Sequence, residues 1–100
     1  MATYINISAT TTTTLLQASS KQATGNISKI NISNNHASTD ATVSLFLDLV
    51  SGTGDFYLFK TLVIPSGVSL VVDDNLAFDI KKYSLKLTNS GSDDLSIIIK

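Results

Sequence analysis

The chain has 100 residues, the length of one domain. All seven cationic residues are Lys and all eight anionic residues are Asp, so the chain lacks Arg and Glu, which normally cover helix surfaces, while residues typical of strands and turns dominate. The formal net charge of -1, the absence of Cys and the lack of a long apolar run argue against nucleic acid and membranes as partners, and against disulfides and thiolate metal sites.

The first forty residues are polar and contain only short apolar stretches. Tyr4 to Ile7 predicts a strand, and the threonines of Thr10 to Thr14 favour an extended arm or an edge strand, because β-branched side chains lose χ1 freedom in a helix. Ile27 to Ser33 predicts another strand. We therefore predict an N-terminal arm or edge strand in residues 1–20 and a β-sandwich domain in residues 21–100.

Beyond residue 40, apolar side chains recur with a period of two, which places alternate residues on opposite faces of β-strands. Turn-forming residues, such as Pro65 and Gly67, separate the alternating stretches. These stretches are Thr42 to Val50, Phe56 to Ile64, Val68 to Val72, Leu76 to Ile80, Tyr83 to Leu87 and Leu95 to Ile99. The pattern predicts an all-β fold, an antiparallel β-sandwich of jelly-roll or Ig-like topology with about seven to eight strands and an extended N-terminal arm.

Some strand faces carry more apolar material than one small core needs. Alternation places Tyr57 and Phe59 opposite the core-facing residues of their strand, and Phe46 opposite those of the preceding strand. Apolar surface left exposed on a protein tends to mark an interface. We therefore expect these side chains to contact a partner; the alternative is that the N-terminal arm folds back and covers them.

The sequence offers little chemistry. His36 is the sole imidazole and lies in the polar connection Asn34 to Asp40, without a nucleophile motif nearby, which favours an ordinary loop histidine. Asp73, Asp74 and Asn75, together with Asp79 or the pair Asp93 and Asp94, could offer oxygen ligands to Ca²⁺. Their spacing matches no recognised Ca²⁺-binding loop, and carboxylates are common at turns. We expect no catalytic residue, no cofactor and no metal site, and hence no enzyme.

Part of the chain resembles a family of known proteins. The stretch KTLVIPSGVSLVVD (Lys60 to Asp73) and the final strand LSIII are similar to a pattern of small β-sandwich virion structural proteins of tailed bacteriophages. The matching residues are Ile64, Pro65, Gly67, Ser69, Leu70, Asp93, Leu95 and Ile97. The resemblance covers about residues 27 to 100 and contains no catalytic signature. It implies a subunit that decorates a capsid or builds a neck, tail or baseplate, usually as a homo-oligomer.

These observations lead to one main hypothesis about function. We expect a phage virion structural protein, a capsid decoration or cement subunit located in the virion and assembled in the host cytoplasm. Its partners would be further copies of itself, in a homo-oligomer such as a trimer, and the major capsid or other virion proteins. Two alternatives stay open: a neck, tail or baseplate component, or a carbohydrate-binding module, although the absence of Trp disfavours glycan stacking. The predicted interface residues are Tyr4, Thr10, Thr12, Thr14, Leu15, Leu16, Phe46, Tyr57 and Phe59.

Overall fold

Strands account for all the regular structure in the described part of the chain. A computed structural model describes residues 3–18, 26–49, 52, 54–73 and 75–100. Within these residues the strands are β1 (Thr3–Ile7), β2 (Thr12–Leu16), β3 (Asn26–Ile27), β4 (Ile30–Asn34), β5 (Ala41–Leu49), β6 (Asp55–Ile64), β7 (Ser69–Val72), β8 (Leu76–Ala77), β9 (Tyr83–Ser90) and β10 (Leu95–Ile99). The all-β prediction is confirmed. The ten strands exceed the expected seven to eight because β2 is a paired strand and because the predicted strand Ile27 to Ser33 is divided into β3 and β4.

The strands pair like one long hairpin that is rolled up on itself. Strands of the first half pair antiparallel with strands of the second half in nested order: β1 with β10, β2 with β9, β3 with β8, β4 with β7 and β5 with β6. Further pairings of β10 with β4 and of β5 with β9 create two four-stranded sheets, ordered β1-β10-β4-β7 and β2-β9-β5-β6. Nested hairpins distributed over two sheets constitute a jelly roll.

The core lies between the two sheets and follows the alternation of the sequence. In β10, Leu95, Ile97 and Ile99 are at most 4% exposed, whereas the intervening Ser96 and Ile98 lie on the outer face. The central strands of the facing sheet contribute further side chains that are fully buried, namely Val43, Leu45, Leu85 and Leu87. Burial of these branched residues supplies the main driving force for packing the sheets together. No helix in the described residues is long and apolar enough to span a membrane.

The N-terminal segment supplies an edge strand to each sheet. Within the described ranges β1 pairs with β10 alone and β2 with β9 alone, so both strands lie at the end of their sheet. Their inward side chains reach the core, because Ile7, Leu15 and Leu16 are no more than 7% exposed. The predicted boundary between residues 20 and 21 falls within residues 19–25, outside the described part of the chain.

β6 departs from simple alternation at two bulges. Its register with β5 shifts between Val43 and Leu45 and again between Leu45 and Phe46, so β6 contains an extra residue at each point. At the first bulge Thr61 adopts a φ of 53°, and its N–H donates a hydrogen bond of 2.9 Å to Ser44 Oγ. The bulges bring Phe59 opposite Leu45 and against the core. The sequence-based placement of Phe59 on the outer face was therefore wrong.

A buried Asn fixes the turn between β6 and β7. Asn34 is fully buried, and its Nδ2 donates hydrogen bonds to the carbonyl oxygens of Ile64 and Thr39 at 2.9 and 3.0 Å. Its backbone N–H donates to the carbonyl of Val68 at 3.0 Å, and its carbonyl accepts from the N–H of Gly67 at 2.9 Å. One residue at the end of β4 thus holds both sides of the β6–β7 turn.

Candidate protein-binding surface

Exposed apolar side chains concentrate along one edge of the sandwich. Apart from Tyr4, the exposed large apolar residues of the described chain all lie on β6, on β7 or on the turn between these strands, and they are 37% to 60% exposed. We call this group the β6–β7 edge surface; it consists of Phe56, Tyr57, Leu62, Val63, Val68 and Val71. Its concentration on one edge distinguishes it from single apolar residues scattered over a surface.

The strand order explains why these residues are exposed. β6 and β7 are the last strands of the two sheets, and the short turn from Pro65 to Val68 connects them. Among the described strands each pairs on one side only, β6 with β5 and β7 with β4, so no described strand pairs with the other side of either. Natural proteins usually protect such edges with charges. Along β6 the only charged residues are Asp55 and Lys60, so the edge is mainly apolar.

Aromatic contacts organise the part of this surface that is nearest the start of β6. The ring of Tyr57 packs on Phe46 with a centroid distance of 5.1 Å, and Phe56 meets Tyr83 edge to face at 5.8 Å. The ammonium group of Lys60 lies 5.1 Å from the centroid of the Tyr57 ring, within range of a cation–π interaction. These contacts hold Tyr57 in place while it stays 45% exposed.

Near the start of β6, two carboxylates lie beside the ammonium group of one lysine. Lys86 Nζ donates a hydrogen bond of 2.6 Å to Asp48 Oδ2, and this bond lowers the pKa of Asp48 below its ordinary value. Asp55 lies opposite Asp48 in the β5–β6 register. Removal of water by neighbouring protein atoms, followed by the hydrogen bond and the charge of Asp48, raises the pKa of Asp55. Two carboxylates therefore share one cation at this position.

The opposite pKa shifts predict opposite effects of two substitutions. A raised folded-state pKa means that ionised Asp55 opposes folding as pH rises through that pKa, so Asp55→Asn should raise the melting temperature at pH 7. The gain should vanish in acid, where the carboxyl is protonated in both states. Lys86→Met should lower the melting temperature at pH 7, and this loss should fade as Asp48 protonates. Melting curves of the three proteins between about pH 2 and pH 8 check both signs. A gain from Asp55→Asn that persisted unchanged in acid would contradict this account.

The structure places the sequence-predicted interface residues in different environments. Phe46 is only 7% exposed, because Tyr57 covers it on the outer face of the sheet, and Phe59 packs against the core. The expectation that these two side chains are exposed was therefore wrong. Tyr57 is exposed, as expected, and is the member of that trio on the β6–β7 edge surface.

The N-terminal candidates lie on the other side of the sandwich. Tyr4 is 74% exposed on β1, and Thr10, Thr12 and Thr14 are exposed on and before β2. A hydrogen bond of 2.9 Å joins the hydroxyl groups of Thr12 and Thr88. Leu15 and Leu16 are buried in the core and leave no side chain for a partner. Contact of the exposed N-terminal residues with a partner stays a prediction.

Other members of the edge surface were not predicted from the sequence. Since alternation places Tyr57 and Phe59 on the outer face of their strand, it places Phe56 and Leu62 on the core side, yet both are exposed, as is Val68 in the turn. A strand at the end of a sheet has no neighbour to cover one of its sides, and the order of strands is not visible in the alternation of one strand. The signal that was present is the apolar character of both faces of β6.

His36, the sole imidazole of the sequence, has a structural role in its loop. Nδ1 of His36 accepts hydrogen bonds of 3.1 Å from the backbone N–H groups of Ser38 and Thr39, so its lone pair is already used within the loop. Nε2 of His36 lies 3.8 Å from Asp93 Oδ1. Among the described residues no group of three or more His, Asp or similar side chains is arranged to hold a metal ion. Asp74, part of the Ca²⁺ hypothesis, lies outside the described residues.

Comparisons with known proteins give a similarity of fold. No family model and no curated protein matches the sequence. A chain from the structure of infectious bursal disease virus, Gx strain, is 13% identical with a TM-score of 0.48, and a chain from the crystal structure of the T13 viral particle of that virus is 13% identical with a TM-score of 0.45. Both matches cover 98% of this chain, which spans 28% and 31% of the matched chains. At these values the similarity carries no conclusion about family or function.

Proposed function

We propose that this chain is a structural protein of a virion, acting without catalysis as a decoration or cement subunit of a capsid. The observation that carries the proposal is the β6–β7 edge surface, where apolar side chains stand exposed on two open sheet edges. Exposed apolar residues concentrated on one edge of a small domain are typical of a surface that another protein covers. The chain would bind a capsid protein through this surface and thereby join neighbouring units of the shell.

The sequence resemblance supports the proposal at the same place in the fold. Ile64, Pro65 and Gly67, which match the phage virion pattern, form the end of β6 and the turn into β7. Gly67 has a φ of 75°, which a glycine adopts without steric cost, and the turn presents Val63 and Val68 on either side. The shared motif therefore builds the part of the molecule to which we assign binding.

Binding to a lattice makes a small surface sufficient. The exposed apolar area of this edge is smaller than the about 800 Å² that each partner commonly buries in a specific interface. A single contact through it should therefore have a modest affinity. Copies attached to neighbouring sites of one shell, and linked to each other, gain affinity through effective concentration. The proposed role thus depends on many weak contacts acting together and not on one strong site.

Removing apolar side chains from the edge should weaken binding to particles. The double variant Val63→Ser, Val68→Ser is expected to lose affinity for particles lacking the chain by at least about tenfold, equivalent to about 1.4 kcal/mol. Both side chains are about half exposed, 51% and 45%, so the fold should tolerate the change. Co-sedimentation of purified protein with particles measures the affinity.

A matched control uses the opposite side of the sandwich. Tyr4→Ser removes a side chain that is more exposed, at 74%, but lies on β1, away from β6 and β7. We expect this variant to bind like the wild type. Normal binding by Val63→Ser, Val68→Ser would overturn the assignment of the surface, and a loss confined to Tyr4→Ser would move the interface to the N-terminal strands.

The two alternatives predict different results in simple measurements. A neck, tail or baseplate component would be present in few copies per particle, whereas a decoration subunit would be present in numbers close to those of the shell protein. A carbohydrate-binding module would use the exposed rings of Tyr57 and Phe56 to stack on sugars. A glycan array with hits that are lost in Tyr57→Ala would favour that module over the virion protein.

A further inference from the structure

The outer face of β6 carries a charge pattern that is complementary to itself. Asp55 begins the strand, Lys60 follows beyond the aromatic segment Phe56–Phe59, and both residues are exposed. Asp55 shares the outer face with Tyr57, since the register pairs these residues with Asp48 and Phe46 of β5, and the Lys60 ammonium lies over the Tyr57 ring. An acid, an apolar segment and a base therefore follow one another along one open edge.

Among the described residues, neither Asp55 nor Lys60 forms a salt bridge with an opposite charge. The salt bridges of the described residues involve His36, Asp93, Lys86 and Asp48, but neither Asp55 nor Lys60. Lys86 is engaged with Asp48, and removal of water from around Asp55, together with the hydrogen bond and the charge of Asp48, raises the pKa of Asp55. A cation brought from outside would relieve the repulsion between the two carboxylates. Lys60 on the same strand is such a cation, and it forms no salt bridge with Asp55 of its own copy.

We propose that two copies of this chain pack β6 against β6 about a two-fold axis, with Asp55 of each copy opposite Lys60 of the other. Antiparallel juxtaposition of the strands brings each acid to the base of the second copy and places the aromatic segments Phe56–Phe59 between the two ion pairs. The two-fold pair adds a contact between copies to the proposed function. It rests on that proposal in one respect, since both treat the β6–β7 edge surface as an interface. The residues near the turn, such as Val63 and Val68, remain for the capsid protein.

The shape of β6 favours a closed pair over an open fibre. The two bulges and the left-handed Thr61 interrupt the free edge within the strand, so a second strand cannot pair along its whole length. An isologous contact uses the same patch on both copies and leaves none of it free for a third. The exposed apolar area of Phe56 and Tyr57, the part of the edge surface used in this contact, is on the order of 200 Å² per copy, well below the ~800 Å² of a standard interface. A weak dimer is therefore expected, one that is strengthened on a particle.

Charge reversal tests the proposed register. D55K alone places lysines opposite lysines and K60D alone places aspartates opposite aspartates, so each is expected to dimerise at least about tenfold more weakly than the wild type. The double variant D55K/K60D restores opposite charges across the axis and is expected to dimerise like the wild type. An equimolar mixture of the two single variants is expected to form a 1:1 heterodimer, because each lysine then meets an aspartate.

Analytical ultracentrifugation from about 1 μM to about 1 mM protein, with native mass spectrometry of the mixture, provides the readout. A wild type that stays monomeric over this range would overturn the two-fold arrangement. So would a mixture of D55K and K60D that forms no heterodimer. Co-sedimentation of the same proteins with particles separates the two proposals. Particle binding by a protein that never dimerises would leave the proposed function standing, whereas dimers that ignore particles would overturn that function and keep the two-fold pair.

Discussion

Replacing Gly91 by Ala is expected to lower the free energy of unfolding by about 2–5 kcal/mol, a combination of left-handed backbone strain and overpacking. Gly91 has a φ of 88° in the connection between β9 and β10, and a Cβ there would overlap the backbone carbonyl oxygen of Asp40, which precedes β5. Backbone atoms cannot swing aside as the end of a flexible side chain can. Since small domains are stable by only about 5–15 kcal/mol, the loss should be plain in urea or thermal unfolding.

Gly67 offers a matched control for this prediction. Its φ of 75° is also left-handed, but a Cβ at that position would have no atom within 4 Å. Gly67→Ala should therefore show only the backbone strain, about 1–2 kcal/mol. Equal losses in the two variants would show that the connection at Gly91 relaxes away from Asp40 and that close approach is unimportant there.

The Asn34→Ala variant is expected to lose about 3–5 kcal/mol, because it removes one buried side chain with three hydrogen bonds. Besides the two bonds that Nδ2 donates to Thr39 and Ile64, Oδ1 accepts a bond of 3.2 Å from the N–H of His36. A buried carbonyl group that loses its donor destabilises the fold by the full free energy of its desolvation. Chemical denaturation measures the loss.

A second readout links this residue to the binding surface. Asn34 ties the ends of β4 and β6 to the β6–β7 turn, so its removal should also speed hydrogen exchange at the Gly67 N–H, which donates to the Asn34 carbonyl. The neighbouring Asn35 is exposed, and its side chain forms hydrogen bonds with Ser33 and Ser96 at 3.0 and 2.6 Å. Asn35→Ala should change stability by about 0.5 kcal/mol or less. Comparable losses in the two variants would refute the special role of Asn34.

Alternation predicted the strands that have neighbours on both sides. β5 and β9 lie inside their sheet, one face of each is pressed on the core, and the inward residues Val43, Leu45, Leu85 and Leu87 are all fully buried. When both neighbours of a strand are fixed, the face of a residue follows from its parity alone. The sequence pattern therefore predicted the sandwich and most of its core.

In β6, alternation does not predict the face on which a side chain lies. A left-handed residue in a bulge is usually Gly or Asn, whereas here Thr61, a β-branched residue, occupies the position with a φ of 53°. Nothing in the local sequence signals the change of phase, so Phe59 was assigned to the wrong face. The bulge is stabilised from outside the strand, by the hydrogen bond from Thr61 to Ser44 on β5.

The candidate surface was predictable only in part, because exposure depends on strand order. Tyr57 and its neighbours were recognised as surplus apolar residues, but burial of Phe46 under Tyr57 required the cross-strand pairing of β5 with β6. Asn34 lay in a polar stretch that resembled an ordinary connection. Its importance arises from a carbonyl at Ile64, far along the chain, which no local pattern contains.

The nested hairpin also determines how this chain reaches its native state. Among the strands that the structure describes, β5 and β6 alone pair across a short connection, whereas joining β1 to β10, with Thr3 beside Ile99, closes nearly the whole chain into a loop. The entropy of loop closure grows with loop length, and folds dominated by distant contacts form in milliseconds to seconds. Folding is thus expected to start at the central hairpin and spread outward, which would leave the apolar edge of β6 uncovered while the outer strands are still being added.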